Sequence, residues 1–219
     1  MNERSASGPP SAQALSLPGP AGALEALLDA PREGAAAPAF GVVCHPHPLH
    51  GGTFHNKVVH TLARALNELG IPALRFNFRG VGASAGSYDE GRGETEDALA
   101  VVQYGRTRFP RAAPWLLGFS FGAVVAIRAA VRADAARLIT VAPAVDRVAL
   151  DGALPRCPWL LIQGDADDVV PAAGVLAWAA RLESPPVVRV LPAVGHFFHG
   201  RLPELRAAVV TFAGGTAGN

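Results

Sequence analysis

Lysine is nearly missing from this chain: Lys57 stands alone, and every other basic side chain apart from histidine is an arginine. No functional consequence follows from that. An excess of either charge is missing too. The formal net charge of +1 gives no reason to expect nucleic acid or an anionic membrane surface as a partner. No apolar run is long enough to cross a bilayer, and residues 1–10 contain no apolar core of signal-peptide length. A cytoplasmic protein without membrane association is the expectation. Cysteine is scarce. Cys44 and Cys157 lie far apart, each in an apolar strand-like run, and read as buried free thiols in a reducing compartment. A dinucleotide or phosphate fingerprint is also lacking, since Gly80-Val81-Gly82 has none of the remaining pattern, so no cofactor is expected.

What is present suits one domain. Half of the 219 residues are hydrophobic, enough for one sizeable core and too few residues for two ordinary domains. Residues 1–11, rich in Ser, Pro and Gly, are expected to be disordered. Residues 12–213 form the domain, and 214–219 a flexible tail. Short strands at Ala12–Leu17 and Leu24–Leu28 flank a turn at Pro18–Gly22, giving an N-terminal hairpin, and Pro31–Pro38 reads as a loop. Strands are then expected at Phe40–Cys44, Ile71–Phe78, Pro114–Leu117, Arg137–Ala142, Pro158–Gln163 and Val187–Leu191. Helices are expected at Asn56–Leu69, Glu94–Arg108, from Ala123 onward, from Pro171 to about Glu183, and at Leu202–Phe212. Such alternation predicts an α/β fold: a mostly parallel sheet of about eight strands, an antiparallel N-terminal hairpin, and helices on both faces.

Ligand sites in such sheets lie beyond the carboxyl ends of the strands, and the chemically suggestive clusters sit there. Gly118-Phe119-Ser120-Phe121-Gly122 falls between a strand and a helix, the nucleophile-elbow pattern, in which a sharp turn tolerates little bulk two residues either side of the serine. A nucleophilic serine needs a general base, and the base an orienting carboxylate. Later strand ends supply Asp165, Asp167 and Asp168, then His196 and His199. The chain order Ser, acid, His is that of α/β-hydrolases.

On the elbow, on Gly164-Asp165-Ala166-Asp167-Asp168-Val169-Val170-Pro171 and on Gly195-His196-Phe197-Phe198, the chain resembles a small α/β-hydrolase. It is similar to lid-less dienelactone-hydrolase-like enzymes and predicted esterases. The run Cys44–Gly52 with Phe76–Gly82 resembles a bacterial subgroup of such hydrolases. The resemblance spans residues 12–213 and implies a serine hydrolase of the carboxylesterase kind. Ser120 would be the nucleophile and His196 the base. The family spacing Gly-x-x-Asp-x-x-Val-Pro implies Asp167 as the acid, with Asp165 and Asp168 as turn or helix-terminus acids.

An oxyanion hole needs two donors. The amide of Phe121 is one by the elbow geometry. The second is expected after the third strand, at His47 or Leu49, because Pro46 and Pro48 have no N–H. The sequence departs here from the His-Gly pair usual in related esterases. Leu49 is favoured, on the view that the prolines hold the preceding residues extended. His47, Phe54, Phe119, Phe197 and Phe198 are candidate pocket residues. The Gly-rich loop Arg79–Ser84 reads as packing beside the elbow.

Two other classes compete. His45, His47 and His50 have a His-x-His-x-x-His spacing that three zinc ligands would satisfy, although no acid lies in the cluster. A non-catalytic scaffold on the same fold is the second. Between the sixth and seventh strands, Pro143–Arg156 has room for one short helix at most, so an open cleft without a lid is expected. The resemblance implies small soluble acyl esters as substrates, with thioesters, amides and peptides open to the same attack. The N-terminal hairpin offers an edge strand for pairing.

Overall fold

The computed structural model describes residues 12–31, 38–148, 150, 152 and 154–215. Residues 1–11, expected to be disordered, residues 216–219 of the flexible tail expected at 214–219, and most of the Pro31–Pro38 loop lie outside these, while Gly214 still belongs to the last helix. Strands β1 (Ala12–Gly19) and β2 (Gly22–Asp29) form an antiparallel hairpin in register Gly19↔Gly22 to Ala12↔Asp29. Its turn is only Pro20 and Ala21, shorter than expected, and the closing Gly22 has φ +119°. Six further strands follow: β3 (Ala39–Cys44), β4 (Ala73–Phe76), β5 (Ala113–Phe119), β6 (Arg137–Val141), β7 (Trp159–Gly164) and β8 (Val187–Leu191). The sheet order is β1-β2-β4-β3-β5-β6-β7-β8. Strands β3 to β8 run parallel, and β2 joins β4 antiparallel.

The central strands are apolar and buried along most of their length, because helices cover both faces. Side-chain alternation divides the core. Val42, Cys44, Leu116 and Leu138 face α2 (Arg92–Arg108) and α3 (Phe121–Arg132), while Val43, Leu117, Ile139 and Leu160 face α1 (Lys57–Glu68) and α5 (Leu202–Gly214). Helix α1 shows the local logic. Asn56 caps it by accepting from the amides of Val58 and Val59, Val58, Val59, Leu62, Ala65 and Leu66 are buried, and Gly70 at φ +75° ends it. Helix α4 (Ala172–Ala179) is shorter than expected, since the amides of Arg181 and Leu182 turn back to Trp178 and Ala179 in tighter three-residue steps.

Strand β4 also stops early, at Phe76. The Phe78 amide leaves the ladder and donates to His45 Nε2 at 3.0 Å. Ahead of that, Arg75 pairs through Nε with Asp29 at 2.6 Å and donates from Nη1 to the Phe54 carbonyl at 2.8 Å, while Asn77 Oδ1 accepts the Phe54 amide at 2.9 Å. Strand β4 therefore grips the loop after β3 by its backbone. The Arg79–Ser84 loop is held by α2 and β2: Arg79 pairs with the fully buried Asp97 at 2.8 Å, and Ser84 bridges the Glu25 amide and the Asn77 carbonyl. Between β6 and β7 the described residues make turns and no helix, and none of them forms a lid. Cys44 is fully buried and Cys157 half-buried; both are free thiols.

Candidate active site

Ser120 occupies the sharp corner between β5 and α3, with φ +56° and ψ −118°, a conformation a side-chain-bearing residue adopts only under tertiary constraint. Its amide is tied to the Val141 carbonyl at 2.8 Å. The flanking glycines are needed for space. A Cβ on Gly118 would lie 2.2 Å from the Gly122 carbonyl oxygen, and one on Gly122 would lie 2.2 Å from the His45 carbonyl oxygen.

Two other strand ends converge on the serine. His196 Nε2 lies 3.1 Å from Ser120 Oγ, and His196 Nδ1 lies 2.8 Å from Asp167 Oδ2. Asp167 Oδ1 accepts the amides of Val169 at 2.9 Å and Val170 at 2.7 Å, and Gln163 Nε2 donates to Oδ2 at 3.1 Å. Burial pushes the Asp167 carboxyl upward, but the bonds from His196 and the two amides outweigh it and hold the pKa below the ordinary carboxylate value. The carboxylate therefore accepts a hydrogen bond from His196 Nδ1–H, which leaves the Nε2 lone pair facing the serine hydroxyl. The ring of Phe119 backs the imidazole, with centroids 4.9 Å apart.

The structure separates the three acids. Asp165 is exposed and accepts the Ala193 amide at 2.7 Å, Asp168 is exposed, and only Asp167 reaches the histidine. His199 is exposed and touches Phe197 rather than Ser120.

The loop after β3 corrects the preference for Leu49 as an oxyanion donor. The prolines do not keep it extended: Pro48–His50 close a 3₁₀ turn, Leu49 is 67% exposed, and its amide is spent on His47 Nδ1 at 3.2 Å. The His47 amide has no intramolecular partner among the described residues, and that of Phe121, the first residue of α3, has no helical acceptor. Both residues line a cleft of about 460 Å³ over Ser120, together with Tyr88, Arg147, His196 and Phe197.

Three pocket candidates fall away. Phe119 and Phe198 are fully buried in the core against α1 and α5, and Phe54 is buried at the gripped loop; none lines the cleft. His47, Phe121 and Phe197 do. Sequence reasoning missed Gln163, Tyr88 and Arg147. Of these only Gln163 left a signal, a lone amide in an otherwise apolar strand.

The His45–His50 cluster does not suit a metal. His45 is buried, donates from Nδ1 to the Pro46 carbonyl at 2.6 Å and accepts the Phe78 amide at Nε2, and burial drives its pKa down to about 4 despite the Pro46 bond. His47 accepts the Leu49 amide at Nδ1, so Nε2 carries the proton and donates to Tyr88 Oη at 3.2 Å. Desolvation, helped by His50, lowers its pKa, in favour of the neutral ring. Both ring nitrogens of both residues are thus occupied, which leaves His50 alone as a ligand. Among the described residues no group of three or more His, Cys, Asp or Glu side chains is placed to hold a metal ion.

Comparison with known proteins agrees with this architecture. The profile of a serine aminopeptidase family, S33, matches residues 47–154. A lid-less α/β serine hydrolase from Xanthomonas campestris is 44% identical, with a TM-score of 0.89 over 94% of this chain and 95% of that one. An α/β serine hydrolase homologue from Coxiella burnetii is also 44% identical, with a TM-score of 0.86 over 94% of this chain and 99% of that one. An uncharacterised protein of Rickettsia prowazekii is 34% identical over 181 residues, 78% of this chain and 76% of that protein.

Proposed function

Because the chain belongs to the α/β-hydrolase superfamily and shares the fold of its lid-less serine hydrolases, we propose that it cleaves carboxylic esters through an acyl-enzyme on Ser120. The observation that carries this reading is the single imidazole within hydrogen-bond reach of both Ser120 Oγ, at 3.1 Å, and Asp167 Oδ2, at 2.8 Å. His196 Nε2 takes the serine proton as Oγ bonds to the acyl carbon. Asp167 holds the tautomer and stabilises the imidazolium that forms. The amides of Phe121 and His47 donate to the developing oxyanion. On collapse the C–O bond to the leaving group breaks, and His196 returns the proton to that alkoxide. A water then repeats the sequence, with His196 as its base, and frees the acid and Ser120. No step calls for a cofactor.

Thioesters and amides would undergo the same attack. The aminopeptidase name of the matching profile suggests peptides, but an aminopeptidase needs a carboxylate to hold the substrate's ammonium group. Among the described residues lining the cleft none is acidic. Esters therefore suit the site better. We place the substrate among small acyl compounds rather than nucleic acid or membrane lipid, on the cleft volume and the net charge of +1. We place the protein in the cytoplasm, where two free thiols persist. Turnover of short-chain aryl esters by wild type and by Ser120→Ala, each with and without a chelator, tests the proposal. Chelator-resistant turnover that disappears in Ser120→Ala is expected; equal turnover by the two proteins would end it.

A further inference from the structure

The polar groups of the cleft are unevenly divided between donors and acceptors. Among the described residues lining it, Arg147 is the only formally charged side chain and none is acidic. Its Nη2 is pinned to the Val169 carbonyl, across the gap between the post-β6 and post-β7 turns. Among the described residues it joins no ion pair. The guanidinium is thus held in place with donors to spare, in the fork that suits a carboxylate.

The neighbouring groups point the same way. His47 Nδ1 is an acceptor, so its Nε2–H donates to Tyr88 Oη, and the phenol's own proton is left for another partner. Asn56 spends its Oδ1 on the α1 amides, which leaves its NH₂. Several lining carbonyls already accept: His47 from His50 and Gly52, Ala144 from Arg147 and Val148, Val169 from Arg147. Outside the Ser120–His196 pair the cleft therefore offers donors, one of them cationic, and few free acceptors. A wholly neutral alkyl ester would leave these donors unused.

We infer that the ester carries a second, anionic group, a carboxylate separate from the scissile carbonyl, and that Arg147 binds it with Tyr88 beside it. The substrate class is then a half-ester of a dicarboxylic acid or an ester of a hydroxy acid. This rests on the esterase reading of the same cleft. Arg147 acts as a specificity residue: it selects and orients the substrate and takes no part in bond making.

Two readouts test this. The first compares matched esters, each as the free carboxylate and as its methyl ester: mono(4-nitrophenyl) adipate for the acyl side and 4-acetoxybenzoate for the leaving-group side. In at least one pair, wild type prefers the carboxylate. The anion-to-neutral ratio of kcat/KM falls about tenfold in Arg147→Gln, recovers in part in Arg147→Lys, and shrinks with added salt, as a partly exposed charged contact requires. The second is calorimetric binding of adipate to Ser120→Ala, expected to weaken about tenfold when Arg147→Gln is added. The calorimetry decides the inference without needing turnover. Adipate that fails to bind, or binds equally with and without Arg147, overturns it, whatever the esterase result. Arg147-dependent binding in a protein that hydrolyses neither ester pair would uphold the anion site and sink the esterase reading.

Discussion

His45 should make the stability of this protein depend on pH in a way that one substitution abolishes. The imidazole is fully buried, donates to the Pro46 carbonyl and accepts the Phe78 amide, so only the neutral ring fits. Its pKa is lowered from 6.5 to about 4 by burial, against a smaller opposing effect of the Pro46 bond. Below pH 6.5 the unfolded chain takes up a proton that the folded one refuses, so stability is full above pH 6.5 and is lost as pH falls toward 4. A shift of that size corresponds to about 3 kcal/mol in full, of which about 2 kcal/mol is lost by pH 5. The assay is urea unfolding followed by fluorescence of the three tryptophans, at pH 7 and pH 5, for wild type and His45→Gln. Titrations of His47 and His60, also lowered, are common to both proteins and cancel in the comparison. Glutamine does not titrate, so the wild-type advantage at pH 7 should shrink by about 2 kcal/mol at pH 5. A difference that stays constant to within about 0.5 kcal/mol would refute the reasoning, because His45 would then contribute nothing through its neutral form.

Other substitutions probe the parts around it. A Cβ on Gly52 would fall 2.0 Å from the Pro46 carbonyl oxygen, so Gly52→Ala must shift the loop that carries the His47 amide. It should lower kcat by roughly 10²–10³, the usual cost of one oxyanion donor, and an unchanged kcat would remove His47 from that role. Asp167→Asn should lower kcat roughly 10³–10⁴-fold with an unchanged near-ultraviolet circular dichroism spectrum. The exposed Asp168, altered in the same way, should leave kcat within about twofold. Asp97→Ala strands the largely buried Arg79 and should cost about 3–5 kcal/mol in urea unfolding. By contrast Glu96→Ala, which breaks the exposed pair with Arg132, should cost less than about 1 kcal/mol.

Much of this was open to reading before any coordinates, for physical reasons that differ by element. The elbow was legible because a positive φ at Ser120 and backbone approaches near 2 Å admit only glycine at positions 118 and 122, and those demands are written as residue types. Asp167 was singled out from Asp165 and Asp168 by the family spacing to Val170, whose amide the carboxylate accepts. Aromatic residues next to catalytic ones misled. Phe119 ends β5 with its ring in the core, and in the turn after Gly195 Phe198, at φ +54°, enters the core while Phe197 reaches the cleft. The loop after β3 misled too, because its shape is set by distant partners, Arg75, Asn77 and Phe78, rather than by its own prolines. Tyr88 lies in a loop and Arg147 in a turn, neither within a motif, and only the fold brings them over Ser120.

The central claim is a covalent one, and peptide-level mass spectrometry after treatment with a fluorophosphonate tests it most directly. The account predicts one adduct per chain, on Ser120, with ester turnover falling in proportion to labelling and no effect of a chelator. Turnover that persists in fully labelled protein, or that disappears on chelation with Ser120 unlabelled, would contradict it.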